Sequence, residues 1–167
     1  MTIGAGLFTL SAPSRAGEDP VTAFLGAYQY AGGDKERKLR DKAIDDVVAG
    51  MNVIIRGIAR DKLKAANPIA DVLAFAATAT NLTVKMDARS HTGPRDGGRV
   101  KVKGITGDEL EMRYAIRPLR IDQIFTGEDK GRTNAFSLAE STVAMRVRVH
   151  STQLPKDLVY TLTYTKK

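Results

Sequence analysis

The only two imidazoles in this chain are His91 and His150, and a hydrolytic triad would have to be built on one of them. His91 sits in the run Arg89-Ser90-His91-Thr92, and His150 stands beside Ser151 at the end of an alternating segment. Neither has an acidic sequence neighbour to orient a ring. The carboxylates point the same way. Asp41, Asp45 and Asp46 lie in a segment rich in Lys and Arg, where ion pairs within a helix, such as Asp34 with Lys38, are the expected use. Asp108, Glu109 and Glu111 cluster at a turn without the spacing of a calcium loop. Gly93, Gly97 and Gly98 lack the following Lys-Ser/Thr of a phosphate loop and read as turn formers.

Arg113, Arg117 and Arg120 could clamp a carboxylate or phosphate bidentately. Alternation instead sends Arg113 and Arg120 outward if Tyr114 and Ile121 face inward. With no cysteine, disulfides, thiolate zinc sites and cysteine nucleophiles are excluded. No residue set shows an acid, base or nucleophile relationship, so no catalytic residue, metal ligand or cofactor site is assigned, and a non-enzymatic protein is the expectation.

The elements that would position any site are legible in the apolar periodicity. Asp19-Pro20 is a helix-start pair, and Val21, Phe24, Leu25 and Tyr28 then share one helical face. Gly32-Gly33 ends that helix, and Asp34 caps a second. There Ile44, Val47, Val48, Met51, Ile54, Ile55, Ile58 and Leu63 recur at three- and four-residue steps up to Asn67-Pro68. Some thirty helical residues would span roughly 45 Å.

Ile69–Thr80 reads as a buried strand. Leu82, Val84 and Met86 alternate with Thr83, Lys85 and Asp87, and Ala88–Gly98 reads as a long loop. Further alternating runs follow through Val100 and Val102; Leu110, Met112, Tyr114 and Ile116; Leu119, Ile121 and Phe125; Phe136 and Leu138; Val143, Met145, Val147 and Val149; and Leu158, Tyr160, Leu162 and Tyr164. That makes eight strands in a row. The predicted fold is mainly β with N-terminal helices: an eight-stranded antiparallel up-and-down barrel, or an open curved antiparallel sheet gripping the long helix.

A single core suits 167 residues that are 43% hydrophobic. The expected organisation is a leader over 1–17 and one domain over 18–167, with helices in 18–66 and the β-meander in 69–167. Met1–Ala12 is uncharged, and small residues precede Gly17 as a signal peptidase requires, although no basic segment leads. Periplasmic or secreted residence is the expectation and cytoplasmic residence the alternative. No apolar run reaches the length of a membrane-spanning helix.

The net charge of +7 is uneven: residues 1–80 carry 10 Lys/Arg against 9 Asp/Glu, and residues 81–167 carry 16 against 10. An anionic surface or protein partner would be drawn to the strand-rich part. Nucleic acid is not expected, because the aromatics fall on the apolar faces and not among the basic ones.

The closing pair, Thr142–Ser151 and Leu158–Tyr164, resembles the last two strands of lipocalin and fatty-acid-binding-protein barrels, a likeness of pattern over about the last 85 residues. Tryptophan is absent, and with it the lipocalin glycine-x-tryptophan signature. The arginine that fatty-acid-binding proteins place two residues before their final tyrosine falls here at Leu162. The resemblance implies an apolar cavity for a lipid-like molecule.

A carrier of a hydrophobic or amphipathic small molecule is therefore the leading expectation. Its interior would be lined by Met86, Val102, Met112, Tyr114, Ile121, Phe125, Phe136, Met145, Val147, Tyr160 and Leu162. Gln123 is the one polar residue on that series, either packed against a tyrosine or a backbone group or orienting a ligand. The alternative is an interaction module with a filled core, docking a partner through its basic face or long helix.

Overall fold

The computed structural model describes residues 17–167, so most of the expected leader lies outside the described residues. The chain opens with a 3-10 turn at Thr22–Phe24 and a strand, β1, at Gly26–Tyr30. Two helices follow, α1 at Gly33–Val48 and α2 at Val53–Ala66. Nine more strands complete the fold: β2 Val72–Ala77, β3 Asn81–Met86, β4 Arg89–Pro94, β5 Val100–Lys103, β6 Glu109–Arg117, β7 Arg120–Thr126, β8 Lys130–Ala139, β9 Thr142–Ser151 and β10 Leu158–Lys166. All pair antiparallel in one sheet ordered β4-β3-β2-β1-β10-β9-β8-β7-β6-β5.

The sheet is thus a meander of sequential neighbours closed by the single long-range pairing of β1 with β10. It curls into a nearly closed barrel whose two edges, β4 and β5, meet at a seam. Across it the Tyr114 hydroxyl donates to the His91 carbonyl at 2.7 Å, and the His91 ring stands edge-on to Phe125 with centroids 5.1 Å apart.

Ten strands replace the expected eight, because two segments differ from the sequence reading. Val21–Tyr28 does not form a helix: Gly26 takes φ +120°, a backbone that glycine alone adopts freely, and turns the chain into extended structure. Tyr28 is then fully buried and its hydroxyl donates to the Phe24 carbonyl at 2.9 Å. Arg89–Pro94 forms β4, not a loop, since the two-residue turn Asp87-Ala88 sends it straight back along β3 in the register Val84↔His91. The turn residues that suggested a loop begin only with Gly93-Pro94.

The single long helix is also corrected. The chain breaks at Ala49–Asn52, where Gly50 lies so close to Pro155 that a Cβ there would sit 3.1 Å from the proline Cγ. The Asn52 side chain restarts the helix by accepting from Ile54 N at 2.9 Å. The apolar series therefore splits: Ile44, Val47 and Val48 are buried under α1, whereas Val53, Ile54, Ile55 and Ile58 are exposed on α2. Asp34 does not cap; it lies within the first turn of α1.

The acidic residues mostly tie helix to helix. Asp45 pairs with Arg60 at 2.5 Å and Asp41 with Lys64 at 3.4 Å, while Lys42–Asp46 is an i,i+4 pair within α1.

Alternation along β6–β10 is strict and sets the core in cross-barrel rows. One row runs Met112, Phe125, Arg132 and Val149; the next runs Tyr114, Gln123, Asn134, Val147 and Tyr160; a third runs Ile116, Ile121, Phe136, Met145 and Leu162. An aromatic cluster joins the two halves: Phe75 stands edge-on to Phe136 at 5.2 Å and to Tyr28 at 5.9 Å, and Phe24 lies 5.3 Å away.

Candidate functional site

Every residue expected to line the interior is on the inner side of the barrel. Met112, Tyr114, Ile121, Gln123, Phe125, Phe136, Met145, Val147, Tyr160 and Leu162 are buried, and Met86 and Val102 are partly buried against the same core. Gln123 does meet a tyrosine, but it is not the one polar residue of the inward series: Asn134 and Arg132 share that face and extend a polar chain through the apolar set.

The chain begins at the seam. Gln123 Nε2 donates to the Tyr114 hydroxyl at 3.3 Å, and Asn134 Nδ2 donates to Gln123 Oε1 at 2.9 Å. Arg132 Nε donates to Asn134 Oδ1 at 2.9 Å, and Arg132 Nη1 to Asn67 Oδ1 at 2.8 Å. The Tyr160 hydroxyl donates to the same Asn67 oxygen at 3.1 Å. Asn67 is itself fixed from the helical side: its Nδ2 donates to the Leu63 carbonyl at 2.8 Å and its own carbonyl accepts from Arg40 Nη1 at 2.6 Å. Tyr114, Gln123, Asn134 and Asn67 are all essentially inaccessible to solvent. Burial pushes the Tyr114 phenol up to about 12, so it stays a neutral donor throughout the physiological range.

Two elements make this arrangement. On β8, Arg132, Asn134, Phe136 and Leu138 alternate on the inward face, so a cation and an amide enter the barrel with two apolar neighbours. At the end of α2, Asn67 is the last residue before Pro68, and its side chain folds back over the barrel mouth. The signal was available in the β8 alternation, since Arg132 is in phase with Phe136. Asn67 looked like a helix stop only.

Arg132 is half-buried and, among the described residues, has no carboxylate partner. An inward cation held by neutral amides can accept an anion without first breaking an ion pair.

The arginines weighed as a clamp lie elsewhere. Arg113 faces outward with Ile124, and Arg117 and Arg120 both bind Asp122 on the outer face, Arg120 Nε at 3.0 Å. His150 gains the acidic neighbour that its sequence context lacked: Asp157, from the loop before β10, lies 3.0 Å from its Nδ1 and also pairs with Arg148, and the hydrogen bonds from His150 first and Arg148 second hold the Asp157 carboxyl below its usual range. Among the described residues no nucleophile is hydrogen-bonded to this pair. Asp108 pairs with Lys130 at 2.5 Å, Glu109 with Lys101 and Glu111 with Arg99, all as surface pairs between strands or across turns. Among the described residues no group of three or more metal-ligating side chains converges.

Two clefts open on the outside. One, of about 630 Å³, lies between α1 and β10 and is lined by Lys35, Glu36, Leu39, Val159, Thr161 and Thr163 among others. The second, of about 500 Å³, is lined by Pro20, Ala79, Thr80, Arg95, Asp96 and Ile116. Among the described residues no helix is long and apolar enough to cross a membrane.

No protein-family model and no curated protein sequence matches the chain. Solved structures do. The chain is similar to apo Caenorhabditis elegans lipid binding protein 8, with TM-score 0.56 and 6% identity over 87% of this chain and 96% of that one. It is similar to the fatty-acid-binding protein isolated from Manduca sexta, with TM-score 0.53 and 15% identity over 85% and 98%. A third is the Schistosoma mansoni fatty acid binding protein in complex with arachidonic acid, with TM-score 0.51 and 10% identity over 89% and 99%. The fold is therefore the calycin-type β-barrel of the fatty-acid-binding proteins, with its two helices.

Proposed function

We propose that the protein is a non-enzymatic carrier that holds a hydrophobic or amphipathic small molecule in the barrel, with an anionic head group at Arg132. The observation that carries this reading is the unpaired inward guanidinium: a cation facing an apolar interior is costly to keep unless it has a counter-charge to meet. Tyr160, Asn67 and Asn134 hold it in place, and the methionines Met86, Met112 and Met145 give the surrounding wall adaptable surface. The likeness to structures described as fatty-acid-binding, one of them with arachidonic acid, supports the same ligand class.

The test is displacement of a fluorescent fatty-acid probe from delipidated protein. Oleate is expected to compete and oleyl alcohol to compete more weakly. Arg132→Leu should erase the difference between them while retaining alcohol binding. Failure of wild-type protein to take up any apolar probe rejects the carrier reading.

A second reading, an interaction module with a solid core, is favoured by the packed aromatic cluster Phe24, Tyr28, Phe75 and Phe136 and by the position of the two clefts outside the barrel. It expects no uptake, and association with a partner that weakens with added salt.

A further inference from the structure

No residue of α2 is fully buried. Val53, Ile54 and Ile58 are 74%, 82% and 61% exposed, and Ile55 and Gly57 are exposed beside them. Ile54, Gly57, Ile58 and Asp61 follow the i, i+3, i+4, i+7 spacing that lines one side of a helix. The opposite side packs Leu63 against the core and pairs Arg60 with Asp45 and Lys64 with Asp41.

Two features of the exposed stripe serve nothing within the described chain. A glycine inside a helix weakens it, yet a Cβ at Gly57 would meet nothing within 4 Å, so the gap admits no group of this protomer. Asp61 stands in an apolar stripe with no cationic partner among the described residues. Conversely, the first turn of α2, where the positive end of a helix favours an acid, holds none.

We propose that this face is the contact of a symmetric dimer, in which α2 packs antiparallel on the α2 of a second copy of the chain. With the two-fold axis passing between Gly57 and Ile58, each Ile58 lies over the partner's Gly57. Each Asp61 then lies beside the partner's Ile54, at the positive end of that helix, and supplies the acid its first turn lacks. One stripe provides both ridge and groove, which is the condition for an isologous contact. Lys62, one residue on, is turned about 100° away, to the rim. A lipid bilayer suits the stripe less well, because it would bury Asp61 without a counter-charge. Both arginines of α2 are also turned away from it, Arg56 to the Ala49 and Met51 carbonyls and Arg60 to Asp45. The face lies outside the barrel, and the inference stands whether or not the interior holds a ligand.

The test is sedimentation equilibrium of the full chain. A reversible dimer is expected, and Ile54→Lys with Ile58→Lys, both at exposed positions, should leave only monomer. Gly57→Leu should fill the groove and weaken the dimer about tenfold or more. At a dilution where both proteins are monomeric its denaturation midpoint should be no lower than that of the wild type, since leucine favours helix and its Cβ has open space. Asp61→Lys should weaken the dimer by less, with a loss that shrinks in added salt. Because the chain has no cysteine, Ile58→Cys introduces a single thiol close to the two-fold axis. Mild oxidation should link it to its own copy, whereas Ser141→Cys, in the turn between β8 and β9, should stay unlinked. The proposal is overturned by a chain that remains monomeric up to about 1 mM, including one that as a monomer binds vesicles of phosphatidylglycerol and phosphatidylcholine. It is equally overturned by a dimer that survives the paired lysine substitutions, by an unchanged dissociation constant in Gly57→Leu, or by equal cross-linking at positions 58 and 141.

Discussion

Arg132 is held in place by two asparagines: Asn134 takes its Nε, and Asn67 takes its Nη1. Asn67 is the more consequential of the two, because its single side-chain oxygen serves both Arg132 and the Tyr160 hydroxyl while its amide closes the end of α2. Asn67→Ala should therefore leave a guanidinium and a phenol without their acceptor inside the barrel and lower stability by about 1–3 kcal/mol. Chemical denaturation of the variant checks this, and an unchanged midpoint would mean that water replaces the amide at no cost. Arg132→Leu is expected to act on both stability and selectivity. Removing the cation strands no carboxylate but leaves the buried Asn134 oxygen without its donor, so it should cost about 1–3 kcal/mol as well, and it should remove any preference for acids over alcohols in the displacement assay.

The most exposed weakness among the elements is the seam between β4 and β5, which is closed by side chains and not by a backbone ladder. His91 lies in it, packed on Phe125. Loss of solvent holds its imidazole below the ordinary histidine range, nearby Arg89 adds to that, and a hydrogen bond to the Lys103 backbone opposes it. A base whose folded-state affinity for protons is depressed contributes stability that is complete above its unfolded value and is lost as the pH falls through its folded value. The seam should therefore weaken as the pH drops below the ordinary histidine range, about 6.5. His91→Phe should keep the edge-on packing and flatten that part of the pH profile. The comparison is of denaturation midpoints against pH; parallel curves for the two proteins would show that His91 does not sense pH at the seam.

For the whole molecule, the aromatic cluster joins the β1–β4 half to the β6–β10 half through the interior, in addition to the backbone pairing of β1 with β10. Phe75 and Phe136 come from opposite halves and meet edge-on. Each truncation to alanine should cost about 3–5 kcal/mol, and the pair should be coupled by about 0.5–1.5 kcal/mol in a double-mutant cycle. Additivity would mean that the halves are stabilised separately.

Much of this architecture was legible in the alternation itself. From Leu82 onward each buried valine, methionine and tyrosine was in phase with its neighbours, because a period of two leaves no freedom in which face a residue takes. Two strands escaped for local reasons. Gly26-Ala27-Tyr28 carries too short an alternation to outweigh a helix-like spacing, and β4 carries Arg89, His91 and Gly93 in phase with the inward residues of β3, so it shows no apolar rhythm. The helix break went unseen because the apolar series ran on through Gly50, although Ile54, Ile55 and Ile58, on α2, face solvent. The site was half legible: its apolar wall follows from periodicity, whereas the meeting of Arg132 with Asn67 spans 65 residues and exists only once the barrel closes over α2.

The most direct measurement is carbon NMR of oleate labelled at the carboxyl carbon and bound to delipidated protein. A head group at Arg132 predicts one bound resonance that titrates at lower pH than free oleate and reverts toward the free value in Arg132→Leu. No bound resonance at saturating oleate, or a bound resonance with the same titration in both proteins, contradicts an anionic ligand anchored inside this barrel.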